Sequence, residues 1–289
     1  MKTDKIKAIV VLERPHFSIL SVLCVVAGIF LAKRGNTDSI DYVMATKLSL
    51  LFWFGMCVAH PINDYFDRET DRHLRKDAPL SSGSLSLNEV RNVALVHYAI
   101  MILMIALIPP NWAVRTFAIL GLIITYVYSA PPLRMVGRSI LSPLTISAGL
   151  IFSLAGGWAS VRGFEHDPAL GILSLMIIFA SIIAKNIADI ADVEDDIHSE
   201  RVTLPMQIGV NKTYSISAFM MPFEFILISL LYFIGNLNFF YLLIVSISVF
   251  ITVFAMLSFR RNFSEGRKYS YLLLLPIMIF LISTVVGSI

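Results

Sequence analysis

Charge is what this sequence has least of. Only 15% of its 289 residues are Asp, Glu, Lys or Arg, where a soluble domain carries about 25%. Cysteine is scarce as well. Cys24 and Cys57 both sit inside apolar runs, and no CxxC or Cys/His pattern surrounds them. That argues against a disulfide framework or a thiolate metal site and leaves two small buried apolar residues. The net charge of +3 gives no argument for a nucleic-acid partner, and none is expected. No linker, low-complexity tract or soluble insertion interrupts the chain, so residues 1–289 read as one domain. Lys2, Lys5 and Lys7 resemble the start of a secretory leader. However, Arg14 and Pro15 precede the first apolar run, and no small-residue cleavage site follows, so that run is expected to stay as a span.

What fills the chain instead is hydrocarbon. Hydrophobic residues make up 57% of it, and the mean hydropathy is +0.77. A bilayer core needs about 20 mostly apolar residues per helix. That ruler predicts nine spans, at 16–32, 43–62, 91–109, 113–130, 140–160, 169–187, 213–234, 237–258 and 269–288. The connections near Pro109–Trp112 and Gly235–Leu237 are tight. The segments 63–90 and 188–212 are long and polar, and read as cap loops. Most of the Lys and Arg fall on one side, together with both long loops, while Lys33, Arg34 and Arg162 fall on the other. The positive-inside rule then puts the N-terminus and both loops in the cytoplasm of a multi-pass cell-membrane protein. Ala155, Gly156, Gly157 and Ala159 predict close helix packing. Phe239, Phe240 and Tyr241 predict an interfacial belt.

The few acids are not scattered. Asp64, Asp67 and Asp71 follow the second span, and Asp189, Asp192 and Asp196 follow the sixth. Both trios have the spacing D-x-x-D-x-x-x-D, and each member of the second lies 125 residues after its counterpart. Four spans separate the trios, so both emerge on one face. This predicts a four-plus-four parallel duplication with a ninth helix added. Positions i, i+3 and i+7 share a helix face. If the two helices run on past the bilayer core, each carries a carboxylate ridge, with Asn63 adding an amide oxygen. Like charges at this spacing repel. Bound divalent cations relieve the repulsion, and Mg²⁺ takes one or two carboxylates and completes its shell with water and phosphate oxygen. Arg14, Arg68, Arg72, Lys76, Arg134 and Arg138 lie on the same side, suited to a diphosphate leaving group or to anchoring at the interface. Lys185 sits within an apolar helix near the second ridge, placed to bind phosphate or to pair with an aspartate. His60 reads as a helix-packing histidine.

These residues resemble the UbiA superfamily of intramembrane prenyltransferases. Asn63-Asp64-Tyr65-Phe66-Asp67-Arg68-Glu69-Thr70-Asp71 matches that family's N-D-x-x-D-x-x-x-D. Pro79-Leu80-Ser81-Ser82-Gly83-Ser84-Leu85-Ser86 is similar to R-P-L-P-S-G-x-I-S, and Tyr128-Ser129-Ala130-Pro131-Pro132-Leu133-Arg134 to Y-S-x-P-P-x-R. Asp189 to Asp196 followed by Thr203-Leu204-Pro205 resembles the second acidic motif with its trailing T-L-P. Three departures stand out: Ala78 replaces an arginine that Arg75 or Lys76 would substitute, Ser81 replaces a proline, and Asp195 replaces a glycine.

The resemblance implies an all-α bundle of nine transmembrane helices around a central cavity capped by the two acidic loops. It implies Asn63, Asp67, Asp192 and Asp196 as metal ligands, and Asp64, Asp71 and Asp189 as further ligands, bases or cap partners. Tyr128 would face a carbocation, donate to phosphate, or serve as an interfacial belt residue. The activity implied is Mg²⁺-dependent transfer from a polyprenyl diphosphate, such as the geranylgeranyl compound, to an aromatic or glyceryl-phosphate-type acceptor in the bilayer. Two other classes fit the residues less well. A cation transporter would carry its acids near the midplane on broken helices. A CDP-alcohol phosphotransferase would carry one continuous acidic block rather than two.

Overall fold

A computed structural model describes residues 2–36, 39–69, 71, 75–197, 201–263 and 266–289. Among them the only β-structure is an isolated bridge between Arg138 and Val202. The rest is helix and turn, as a lipid solvent requires, because a helix satisfies its own backbone hydrogen bonds. An N-terminal helix α1 (Lys2–Glu13) precedes α2 (Ile19–Lys33) and α3 (Tyr42–Phe66). Then come α4 (Leu87–Leu107), α5 (Trp112–Ser129), α6 (Leu141–Arg162) and α7 (Pro168–Ala191). Two short helices, α8 (Val193–Asp196) and α9 (Leu204–Ile208), lead to α10 (Val210–Ile234) and α11 (Phe239–Arg261). The last pair is α12 (Gly266–Leu272) and α13 (Leu274–Ser288).

Each of the nine predicted spans coincides with a helix. Among the described residues, eight are long and apolar enough to cross a bilayer, with Lys268–Ser288 counted as one across α12 and α13. The first, α2, has 15 residues. At 1.5 Å per residue it reaches about 22 Å, short of a hydrocarbon core about 30 Å thick. It starts later than the predicted 16 because Phe17 and Ser18 donate back to Arg14 and Pro15 in a turn.

Polar residues punctuate the helix ends. Asp41, Asn111, Asp167 and Asn238 each accept a backbone N–H at the start of their helix. Ser86 and Glu89 close a reciprocal capping box on α4.

The tightest contact is between α2 and α6. A Cβ on Gly28 would lie 2.2 Å from the Leu154 carbonyl oxygen, and one on Gly157 would lie 2.1 Å from that of Val25. Backbone therefore meets backbone there, as the small-residue run predicted. Around this crossing, one apolar cluster joins α2, α6, α7, α10, α11 and α13, and a second joins α2 to α3, α4 and α5. Side chains such as Leu107, Phe233 and Phe250 stay largely exposed on the outside, as lipid-facing groups do. The predicted aromatic belt is only partly one. Phe239 and Phe240 face outward, but Tyr241 is buried and donates to the Ile228 carbonyl. Successive helix positions turn by about 100°, which points the third aromatic inward.

Helix α1, read from the sequence only as a basic N-terminal stretch, is docked. Ala8 and Leu12 pack with Leu85 and Val90. Glu13 meets His97 Nε2 at 2.8 Å, and Lys5 pairs with Glu89.

Candidate functional site

Both acid ridges form as the spacing predicted. After α3 the i to i−4 bonding continues, with Asp67, Asp71 and Arg75 donating to the carbonyls of Asn63, Asp67 and Asp71. After α7, Asp192 and Asp196 donate to Ala188 and Asp192. The middle acids occupy matching backbone positions. Asp67 caps α3 with φ −90° and ψ 10°, and Asp192 caps α7 with φ −99° and ψ 6°. The 125-residue repeat is thus visible in the backbone as well as in the letters.

The acids are buried under cations. Asp64 accepts from Arg14 and from Arg75, the latter at 3.0 Å, and Arg75 also reaches Asp71 at 2.9 Å. Asp67 accepts from Asn63 Nδ2 at 3.0 Å, Arg134 Nη2 at 3.0 Å and Arg201 Nη2 at 2.9 Å. Arg201 also approaches Asp196 at 3.8 Å, so one guanidinium ties the first ridge to the second. Lys185 pairs with Asp189 one turn along α7.

Local structure delivers these cations. Arg14 sits at the elbow between α1 and α2 with φ 45°. Pro131 and Pro132 stop α5, since proline lacks the N–H to continue it. The chain then folds back, with Val136 donating to Tyr128, and Arg134 takes φ 38°. Val202 donates to the Gly137 carbonyl at 2.7 Å and Ser139 to Val202 at 2.9 Å, clipping residues 137–139 to the segment that carries Arg201. Gly137 is needed for that approach: its φ is +67°, and a Cβ would lie 2.4 Å from Arg201 Cγ.

The ridges border a cavity of about 470 Å³. Its lining combines the polar side chains of Arg14, Asn63, Asp71, Arg75, Lys185, Asp192 and Arg201 with apolar groups such as Leu20, Leu150 and Ile277. Burial raises the Asp71 carboxyl above its usual range against the pull of Arg75. Burial likewise pushes Asp196 up to about 6, with Arg201 opposing. Among the described residues no three His, Cys, Asp or Glu side chains form a ready-made metal cluster. The donor set nevertheless suits a hard divalent cation. The oxygen-bearing side chains of Asn63, Asp71 and Asp192 line the cavity, and the buried Oδ2 of Asp64 has no hydrogen-bond partner among the described residues.

The predicted residues divide accordingly. Arg14, Asn63, Asp71, Lys185 and Asp192 line the cavity, and Asp64, Asp67, Asp189, Asp196 and Arg134 lie in the ion-paired layer around it. Tyr128 is half-buried and near enough to Arg201 to interact with its charge, but it is not in the cavity lining. Arg68 does not join the site. One position past Asp67, it is turned about 100° round the helix, where it lies 5.9 Å over the Tyr65 ring and 3.5 Å from Glu69. Lys76 is exposed beyond the last helical bond, and Arg138 is exposed on a neighbouring cavity. Arg72 lies outside the described residues.

Sequence reasoning missed the central role of Arg201, although it stands five residues past Asp196. It also missed Ser181, Ser270 and Tyr271, which line the cavity from helices read as plain spans. His60 stays in the packing role, with a buried Nε2 that has no partner among the described residues.

The profile of the UbiA prenyltransferase family matches residues 21–282. Digeranylgeranylglyceryl phosphate synthase of Methanobrevibacter smithii is 27% identical over 282 residues, 95% of each chain. The enzyme of the same name from Pyrococcus furiosus is 29% identical over 219 residues, 74% of this chain and 73% of its own. Among solved structures, a UbiA homolog from Archaeoglobus fulgidus bound to DMAPP and Mg²⁺ superposes with a TM-score of 0.70 at 18% identity, covering 96% of this chain and 98% of its own.

Proposed function

This chain belongs to the UbiA prenyltransferase family, and on that premise we propose that it transfers a polyprenyl group from an allylic diphosphate to the hydroxyl of a glyceryl phosphate lipid. The observation that carries this reading is one cavity whose lining joins two repeated acid ridges to Arg14, Arg75, Lys185 and Arg201 and also includes hydrocarbon side chains such as Leu20, Leu150 and Ile277. A diphosphate with an isoprenoid tail has the same two characters. The name shared by its relatives in Methanobrevibacter smithii and Pyrococcus furiosus supports the glyceryl phosphate acceptor. The Lys/Arg asymmetry supports a cytoplasmic mouth.

Mg²⁺ is the cofactor of this reading; oxygens of Asn63, Asp67, Asp192 and Asp196 would hold it with Asp71 beside them, and it would neutralise charge developing on the departing diphosphate. The guanidiniums supply the rest. Arg14, Arg75 and Arg201 spend the resting state on Asp64, Asp71, Asp67 and Asp196. A diphosphate in the cavity offers them more charge than a carboxylate does, and each arginine that turns to it frees a carboxylate oxygen for metal. The C1–O bond then breaks, with the electron pair leaving on the diphosphate. Apolar walls at Leu20, Leu150 and Ile277 keep water from the allylic cation. The acceptor oxygen bonds to C1 and its proton passes to Asp71, which lines the cavity.

The test is turnover by purified protein with Mg²⁺ and geranylgeranyl diphosphate, offered geranylgeranylglyceryl phosphate or aromatic acceptors, with product mass as readout. An ether product from the glyceryl phosphate supports the proposal. A product from an aromatic acceptor alone would overturn the acceptor assignment.

A further inference from the structure

A second cavity, of about 600 Å³, lies beside the first. Residues 134–141 and 201–207 build it, held together by the backbone clip between Gly137 and Val202. Among the described residues its lining contains Arg134, Arg138 and Arg201, the amide of Gln207, the hydroxyl of Ser139 and no carboxylate. Arg134 and Arg201 already face Asp67. Arg138 is exposed and makes no ion pair among the described residues. The remaining lining is apolar, and Ile140, Leu141 and Val202 are 40%, 44% and 51% exposed.

With Arg134 and Arg201 turned partly to Asp67, and Arg138 the lining arginine without an ion pair among the described residues, the described lining selects an anion that arrives without a metal ion. That sets it apart from the acid-ringed cavity, where a diphosphate needs divalent cations. Arginine forks favour phosphate over a small halide, and the apolar ledge at the start of α6 favours an anion carrying a hydrocarbon chain. Arg201 lines both cavities, so an anion here sits one guanidinium away from the prenyl donor. We propose that this cavity is a second anion site and takes the phosphate monoester head of the acceptor lipid. The acceptor part rests on the reading above, and the anion site does not.

The probe is dodecyl phosphate, titrated calorimetrically into the full-length protein in neutral detergent. The first cavity is filled beforehand with Mg²⁺ and geranylgeranyl thiodiphosphate, an unreactive donor. Dodecyl phosphate should still bind, and Arg138→Gln, an exposed and unpaired position, should raise its Kd about tenfold. In turnover the same variant should raise KM for the acceptor by a similar factor and leave KM for the donor unchanged. Displacement of dodecyl phosphate by the thiodiphosphate, or a Kd within about twofold of wild type in the variant, overturns the site. Equal competition by inorganic phosphate, or by phosphatidylglycerol vesicles, assigns the site to free phosphate or bulk lipid and overturns the acceptor role. Arg138-dependent binding without transfer to any phosphate-headed acceptor keeps the anion site and sinks the acceptor reading.

Discussion

Replacing Asp67 by asparagine removes one charge from the most heavily paired acid of the site while keeping its shape. Asp67 is 1% exposed and accepts from Asn63, Arg134 and Arg201 at 2.9–3.0 Å. An asparagine there offers one oxygen and turns an N–H₂ toward a guanidinium that can only donate. Breaking one side of a buried ion pair costs about 3–5 kcal/mol. Here the cost falls toward the lower end, since Arg201 keeps Asp196 at 3.8 Å and both arginines are over 20% exposed. Asp67 also belongs to the proposed metal set, and loss of one such electrostatic group lowers turnover by about 100- to 1,000-fold. The assay is prenyl transfer over a Mg²⁺ titration, with thermal unfolding of the same preparation. Asp67→Asn should lower kcat by that factor and raise the Mg²⁺ concentration needed for half-maximal rate, and it should also unfold at lower temperature. Asp192→Asn should show the same Mg²⁺ shift with little loss of stability, because Asp192 is half-buried on the cavity wall. Near-wild-type kcat at an unchanged Mg²⁺ midpoint in both variants would refute the reasoning, and a stability loss alone in Asp67→Asn would reduce Asp67 to a structural role.

Gly157→Val places side-chain carbon against the Val25 carbonyl, where even a Cβ would stand 2.1 Å away; it should destabilise the α2–α6 crossing by about 2–3 kcal/mol, read as a lower unfolding temperature in detergent. Gly137→Ala drives a Cβ to 2.4 Å from Arg201 Cγ at a φ of +67°; transfer should fall about tenfold or more, and an unchanged rate would show that Arg201 need not be held there. Asp196 titrates near 6 when folded against 3.8 as its ordinary value. Between those values the folded state binds more protons, so this group's contribution to stability grows as pH falls from about 6 toward 3.8 and is flat above. Mg²⁺ needs the carboxylate, so its half-saturating concentration should rise as pH drops through about 6, measured as Mg²⁺ titrations at stepped pH. Arg68→Gln, outside the site, should change kcat and both KM values by less than about twofold.

Helix count and the acid ridges were legible because each depends on short-range periodicity. Apolar run length places the spans, and i, i+3, i+7 places three carboxylates on one face whatever the tertiary fold. The cations were legible only as a population. Lys/Arg bias says which side they occupy, but the pairing of each one is a long-range fact. Arg14 reaches Asp64 across 50 residues, Arg134 reaches Asp67 across 67, and Arg201 reaches Asp67 across 134. Proximity in sequence pointed instead to Arg68, which is adjacent to Asp67 and for that reason faces away from it. The same limit hid the docking of α1, whose hold depends on Glu13 finding His97 at a separation of 84. The second cavity is the extreme case. Of its two walls, 134–141 links the halves of the repeat and 201–207 lies deep in the second, and nothing within either segment says that the other closes over it. The duplication supplies the reason they meet. A parallel repeat brings the C-terminal ends of α3 and α7 to one face, and the segments that follow α5 and α8 must then cover the same mouth. A site shared between two halves is therefore written as two similar motifs plus unlike basic residues. The motifs can be read from the chain, but only the fold shows which basic residue answers which acid.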